Sequence, residues 1–75
     1  MPEYTVDLSW DNEAAVWIAT SKDISGLVLE SGSLDALIER VRFAVPEILT
    51  LNGLRDKTLS MRLRSERCER IILNG

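Results

Sequence analysis

The sequence predicts an α+β fold: a three-stranded antiparallel sheet, then one helix packed on it, then one or two further strands. Three observations indicate this order. Apolar residues alternate with polar ones near the amino terminus, recur at helical spacing between residues 34 and 49, and alternate again between residues 59 and 63. A chain of 75 residues has room for one core, so we expect residues 1–75 to form a single domain.

The first two strands are predicted to form a hairpin. The first strand has polar residues between the apolar ones, which are Tyr4, Val6, Leu8 and Trp10. A polar turn at residues 11–13 precedes a second strand over residues 14–20. Because this second strand is apolar on both faces, we expect it to lie at the centre of the sheet.

A loop and a short third strand come before the helix. Residues 21–26 have loop composition, and residues 27–30 form the predicted third strand. Ser33 is a natural helix N-cap, and Asp35 lies in the first turn, where the helix dipole favours an acid. The apolar positions at helical spacing are Leu34, Leu37, Ile38, Val41, Val45, Ile48 and Leu49.

Pro46 interrupts this helical pattern. A proline inside a helix removes one backbone hydrogen bond and crowds the preceding turn, at a cost of roughly 3 kcal/mol. Since the apolar spacing continues through Leu49, we expect a helix kinked at Pro46, or two abutting helical pieces. Either one should end near Asn52 and Gly53, because glycine readily adopts the left-handed conformation that closes a helix.

The carboxy-terminal segment is predicted to contain one or two strands. Leu59, Met61 and Leu63 alternate with polar residues, as in a strand with one buried face. Residues 68–73 then either pair back as a further strand or continue one long bent strand. The outward face of this segment is cationic, with Arg62, Arg64, Arg67 and Arg70.

Charge is distributed unevenly along the chain. Residues 1–54 contain nine acids and three bases, a net charge of −6, whereas residues 55–75 contain three acids and six bases, a net charge of +3. An acidic body repels phosphate and attracts basic partners. The arginines could contact phosphate, pair with acids such as Asp7 on a neighbouring strand or on a second subunit, or simply form a solvated strand face.

Composition limits how so small a domain is stabilised and where it works. Cys68 has no partner for a disulfide, and a chain without histidine has no ordinary zinc ligand set. Self-association remains as a way to stabilise so small a domain, so we expect a homodimer or higher oligomer. The lone thiol, an amino terminus unlike a signal peptide and the lack of a run of ~18 apolar residues favour a cytoplasmic protein without membrane contact.

The candidates for chemistry are few. An acidic metal cluster would draw on Asp7, Asp11, Glu13 and Asp23, but three of these lie in a predicted turn or loop, where acids are usually solvated. We therefore expect no catalytic residue, metal or cofactor. Cys68, flanked by arginines, is interpreted as a plain small residue in a strand rather than a reactive thiol. The two tryptophans are interpreted as core residues, or as partner anchors if exposed.

Two local motifs resemble those of the HicB-like antitoxins. Residues 23–27, Asp-Ile-Ser-Gly-Leu, are similar to the family's Asp-x-Pro-Gly turn, with Ser25 where the family usually has proline. Residues 31–37, Ser-Gly-Ser-Leu-Asp-Ala-Leu, are similar to the start of its helix. The resemblance covers about residues 4–64 and implies a degenerate ribonuclease-H-like fold that covers a small basic ribonuclease toxin (HicA-like).

The resemblance also bears on DNA. Full-length members usually carry a DNA-reading segment, which we do not find here, so DNA binding is not expected of this chain. We expect a non-catalytic module that binds and neutralises such a toxin through Asp7, Asp11, Glu13 and Trp17. The alternatives are nucleic-acid binding through the four arginines and an orphan structural domain.

Overall fold

The computed structural model describes residues 2–74. Its elements follow the predicted β-β-β-α-β order, which confirms the α+β class. Their bounds are β1 Glu3–Asp11, β2 Val16–Thr20, β3 Val28–Ser31, α1 Leu34–Leu51 and β4 Ser60–Glu66.

The four strands form one mixed sheet with the order β3-β2-β1-β4. The pairs β1–β2 and β2–β3 are antiparallel, so the predicted hairpin and the central position of β2 are confirmed. The pair β1–β4 is parallel. Because β3 and β4 run in the same direction, the chain between them must cross the sheet, and α1 makes that crossing.

One face of the sheet packs against α1 and holds the core. Apolar side chains from β1, β2, the loop before β3 and one stripe of the helix are buried together: Val6, Leu8, Trp17, Ala19, Ile24, Leu27, Leu37, Val41, Val45 and Leu49. Full burial of one such large side chain stabilises a fold by roughly 1.5–3 kcal/mol.

The helix begins and ends as predicted. The Ser33 hydroxyl accepts a hydrogen bond from the Ala36 amide at 3.3 Å, and Gly53 closes the helix with φ +99°. The helix continues past Pro46 without a break, so the alternative of two separate pieces is wrong. Pro46 and Arg42 both lie on the exposed side, where water can bond to the carbonyl that the proline leaves free.

The hairpin turn differs from the expected one. It spans residues 12–15, so Ala14 and Ala15 belong to the turn and not to the second strand. The Asp11 carboxylate organises it, since Oδ1 accepts hydrogen bonds from the amides of Glu13 at 3.0 Å and Ala14 at 3.3 Å. Ala15 then takes the left-handed conformation with φ 55°, which its residue type does not predict.

One strand, β4, follows the helix. Residues 67–74, which we call the tail, belong to no helix or strand, so neither the additional strand over residues 68–73 nor the long bent strand is formed. The molecule measures 59 × 20 × 18 Å, whereas the nine-residue β1 is only about 30 Å long at the usual rise per residue. The tail therefore projects beyond the sheet. No helix in residues 2–74 has the length and apolarity needed to cross a bilayer.

Candidate functional site

The face of the sheet opposite α1, which we call the open face, is polar. Because successive strand residues point to opposite faces, the neighbours of the buried residues on each strand lie here. No other helix or strand within residues 2–74 covers this face. Its side chains include Thr5, Asp7, Ser9, Ile18, Thr20, Val28, Glu30, Arg62, Arg64 and Glu66.

Two arginines of β4 face acids of β1. The parallel register sets Arg64 beside Asp7, with 4.0 Å between Nε and Oδ1, and Arg62 Nη2 lies 3.2 Å from Glu3 Oε1. This agrees with the expectation that the arginines pair with acids such as Asp7 on a neighbouring strand. Because all four side chains are at least 44% exposed to water, each pair contributes at most about 1 kcal/mol.

The open face carries shallow depressions around this pairing. One of about 230 Å³ is lined by the backbone and side chains of β1 and β4, and another of about 180 Å³ extends toward the loop after β2. Asp7 and Arg64 line both. Both are smaller than the roughly 300–1,000 Å³ that is usual for small-molecule sites.

The predicted acids do not converge. Asp7 and Asp11 lie on the same face of β1, four positions apart, which corresponds to about 13 Å along a strand. Glu13 continues this line into the exposed hairpin turn. Within residues 2–74 no three His, Cys, Asp or Glu side chains are grouped as metal ligands. Asp7, Asp11 and Glu13, which we call the acidic line, are therefore spread along β1 and into the turn that follows it.

Asp23, the fourth acid, has a structural contact. Its Oδ2 accepts a hydrogen bond from the Thr5 amide at 2.8 Å. The Ser21 hydroxyl donates to the Thr5 carbonyl oxygen at 2.6 Å and accepts from the Asp23 amide at 3.0 Å. These side chains continue the pairing along β1 where β2 ends, so Asp23 holds the loop to the sheet.

The two motifs behind the family resemblance serve the fold. In the first, Ile24 and Leu27 are buried on either side of Gly26, whose φ of +89° favours glycine. In the second, Ser33 caps α1 and Leu37 enters the core.

The four predicted arginines do not share one face. Arg62 and Arg64 lie on the open face, but the Arg67 guanidinium carbon lies 3.9 Å from the centroid of the Trp10 ring, on the α1 side of the sheet. Arg67 Nε also lies 2.6 Å from Glu69 Oε1. The expectation of one cationic strand face is therefore wrong, because Arg67 is an odd number of positions from Arg62 and Arg64 and strand side chains alternate between faces. Arg70 lies in the tail, outside any strand.

The tryptophans form one contact at the end of the sheet. Trp10 and Trp17 pack edge to face with ring centroids 5.6 Å apart. Trp17 is buried in the core, in agreement with the core interpretation, and little of it is left to contact a partner. Trp10 is half-buried beneath Arg67.

The tail holds exposed apolar residues that the sequence pattern had placed in a strand. Ile71, Ile72 and Leu73 are 78%, 78% and 90% exposed. Cys68 is also exposed, and its interpretation as a strand residue is wrong because it lies in the tail, after β4 has ended at Glu66. The signal was present in the sequence as three consecutive large aliphatic residues, but only the structure shows that no sheet within residues 2–74 covers them.

Comparisons with known proteins match the chain to a domain family and to a solved structure. The family model described as "Domain of unknown function (DUF1902)" matches residues 3–74. The crystal structure of a hypothetical protein from the extremely thermophilic bacterium Thermus thermophilus is similar, with 34% sequence identity and a TM-score of 0.71. The match covers 95% of this chain and 99% of that chain. No curated protein matches the sequence.

Proposed function

The chain belongs to the DUF1902 family of domains of unknown function, and from that premise we propose that it is a non-catalytic protein-binding module of the antitoxin type. In this proposal it binds a small basic ribonuclease toxin and covers its catalytic surface. It works in the cytoplasm as a homodimer or higher oligomer.

The observation that carries the proposal is the uncovered, acidic part of the sheet. Asp7 and Asp11 project from β1 on the open face, and Glu13 extends the line into the hairpin turn. Residues 1–54, which build this part of the molecule, have nine acids against three bases. A line of acids on a rigid sheet attracts a basic partner and sets the orientation in which it docks.

The resemblance to HicB-like antitoxins supports the class of partner. The matching residues, 23–27 and 31–37, shape a turn and a helix start that hold the sheet and helix in place. Such a toxin is small and basic, so its charge complements the acidic line. Binding of this kind depends on ionic strength, because salt screens exposed charges over about 8–10 Å.

The test is co-expression with the product of the neighbouring gene, followed by a ribonuclease assay. We expect a small basic protein that co-purifies with this chain and whose ribonuclease activity falls as the chain is added to a one-to-one ratio. A neighbour that binds but stays fully active at stoichiometric excess contradicts the proposed neutralisation. A basic ribonuclease neighbour that does not bind contradicts the proposal altogether.

Nucleic-acid binding is the second candidate, and Arg62 and Arg64 are the observation in its favour. Both are exposed at alternate positions of the edge strand β4, a spacing that can follow phosphates. It ranks second because acids outnumber these two arginines at the strand positions of the open face, which hold Glu3, Asp7, Asp11, Glu30 and Glu66. A titration of single-stranded RNA at low salt distinguishes the two, since phosphate contacts give binding that falls steeply as salt increases.

A further inference from the structure

The tail combines exposure with strong apolar character. Ile71, Ile72 and Leu73 are consecutive, and each is at least 78% exposed. Isolated apolar side chains on a surface are ordinary, but a contiguous group of them marks an interaction site. The tail projects beyond the sheet along the 59 Å axis of the molecule, so these side chains are accessible to another chain.

The strand that leads into the tail has an open edge. β4 lies at the end of the sheet order and pairs with β1 on one side, and no described strand lies on the other. The helix packs on β2 and β3 and leaves this edge uncovered. An exposed edge presents unpaired amide and carbonyl groups, which readily pair with a strand of another chain.

We propose that the tail pairs antiparallel with β4 of a second copy of this chain, so that two copies exchange tails. The tail continues directly from β4 and would need a reversal to reach its own edge. The structure has no turn over residues 67–74, so the tail makes no such reversal. Each copy therefore offers an open edge followed by an unpaired strand, an arrangement that is complementary to itself under a two-fold axis.

The charges of the segment select one register. With the axis at Cys68, Glu66 lies opposite Arg70 of the second copy, and Arg67 lies opposite Glu69 of the second copy. Leu63, whose side chain packs against the core, then lies opposite Leu73 on the same side of the sheet. Opposite charges at directly facing positions stabilise a strand pair, and like charges destabilise it.

The neighbouring registers that also keep each side chain on its own face of the sheet bring like charges together. With the two-fold axis at Arg67, this arginine faces Arg67 of the second copy and Arg64 faces Arg70 of the second copy, so like charges meet. With the axis at Glu66 or Glu69, a glutamate faces itself. Of these registers, only the one with the axis at Cys68 pairs every charged residue of 66–70 with an opposite charge. In this register the two four-stranded sheets join into one continuous sheet.

This inference rests on the self-association within the proposed function, but not on toxin capture, and its test uses the purified chain alone. Sedimentation equilibrium under reducing conditions should show a dimer. The Ile71→Asp/Leu73→Asp variant should raise the dimer dissociation constant about 100-fold or more, because it places charges in the buried pairing. Phe43→Asp/Leu51→Asp, at side chains 72% and 81% exposed on α1, is the matched double control and should leave the constant unchanged.

The register has its own test. Glu66→Arg should weaken the dimer about tenfold, and adding Arg70→Glu should restore it, because the swapped charges again face one another. Oxidised glutathione should link the native dimer through Cys68, which the axis sets opposite itself. Circular dichroism verifies that each variant is folded.

Each result bears directly on the inference. A chain that stays monomeric at all concentrations overturns it, as does a dimer that the tail variant leaves intact. A dimer that needs the tail but shows neither charge rescue nor a Cys68 disulfide contradicts the register. Failure to find a toxin affects none of these measurements.

Discussion

The carboxylate of Asp23 replaces a strand as the partner of Thr5. Pairing between β1 and β2 extends only as far as Asp7 and Thr20, and beyond it the Thr5 amide donates to Asp23 Oδ2 at 2.8 Å. An acid in a loop thus satisfies a backbone group that the sheet would otherwise leave to water. Its contribution is to the fold, although its residue type also made it a candidate for metal chemistry.

Removal of this carboxylate should destabilise the domain. We expect Asp23→Ala to lower the free energy of unfolding by about 1–2 kcal/mol, since a hydrogen bond to a charged acceptor is lost at an exposed site. Asp23→Asn keeps an acceptor oxygen and should cost less. Urea denaturation measures the change, with Lys22→Ala, next to it and also exposed, as the control. Equal stability of Asp23→Ala and the native chain would show that the loop holds without the carboxylate.

Ala15→Gly should stabilise the hairpin. A non-glycine residue in the left-handed conformation costs roughly 1–2 kcal/mol, and glycine removes that strain while losing some backbone entropy. We expect a net gain of up to about 1 kcal/mol in the free energy of unfolding. Ala14→Gly, in the same turn without a positive φ, should give no gain. A gain of the same size at both positions would mean that turn flexibility, and not the φ of 55°, is responsible.

Pro46→Ala should also stabilise the chain. The alanine restores an amide that can donate to the Arg42 carbonyl, and helix interiors disfavour proline by roughly 3 kcal/mol relative to alanine. Because proline also restricts the unfolded chain, we expect a net gain of about 1–2 kcal/mol by thermal or urea unfolding. Glu47→Ala, exposed at the next helix position, controls for the high helix propensity of alanine itself. A loss of stability would show that the helix depends on the proline.

Leu37→Ala should unfold much of the population at room temperature. Leu37 is fully buried between α1 and the sheet, and a large-to-small change there costs roughly 2–5 kcal/mol. A core of this size supplies only about 3–5 kcal/mol in total, so little stability would remain. Phe43→Ala, at an exposed position of the same helix, should change stability by less than about 0.5 kcal/mol. Near-ultraviolet circular dichroism separates the two variants, and a native signal from Leu37→Ala contradicts the assigned core.

Charge reversal on the acidic line should weaken capture of a basic partner. Asp7→Lys combined with Glu13→Lys should raise the dissociation constant about tenfold or more at low salt, with a smaller effect at high salt. Glu39→Lys combined with Glu47→Lys makes the same change in charge on the exposed side of α1 and should have little effect. Asp11 is left unchanged because its carboxylate holds the hairpin turn. Calorimetric titration at two salt concentrations measures the dissociation constant of each variant. An equal rise for the acidic-line variant and for the control on α1 would place the partner elsewhere.

Much of the fold was predictable because it follows from local patterns. Alternation defined the strands near residues 4–10 and 59–63, helical spacing defined α1, and Ser33 and Gly53 marked its ends. Each signal depends on neighbours within a few positions. The turn at Ala15 escaped prediction because alanine gives no sign of a left-handed conformation.

The candidate site was only partly predictable. The acids and arginines could be named from the sequence, and the pairing of Asp7 with a strand arginine was expected. Their grouping could not be derived, because Asp7 and Arg64 are far apart in the chain and meet only through the parallel register of β1 and β4. The separation of Arg67 from Arg62 and Arg64 was derivable, because Arg67 is an odd number of positions from both and strand side chains alternate between faces.

The sequence by itself determined the order of the elements, the helix boundaries and the absence of histidine and of a second cysteine from the chain. Tertiary structure decided which strand pairs with which, that Asp23 binds Thr5, and that Ile71, Ile72 and Leu73 lie outside the core. The physical reason is the distance along the chain over which each feature is determined. Periodicity records how one segment divides between water and an apolar surface, whereas pairing and exposure depend on which distant segment supplies that surface.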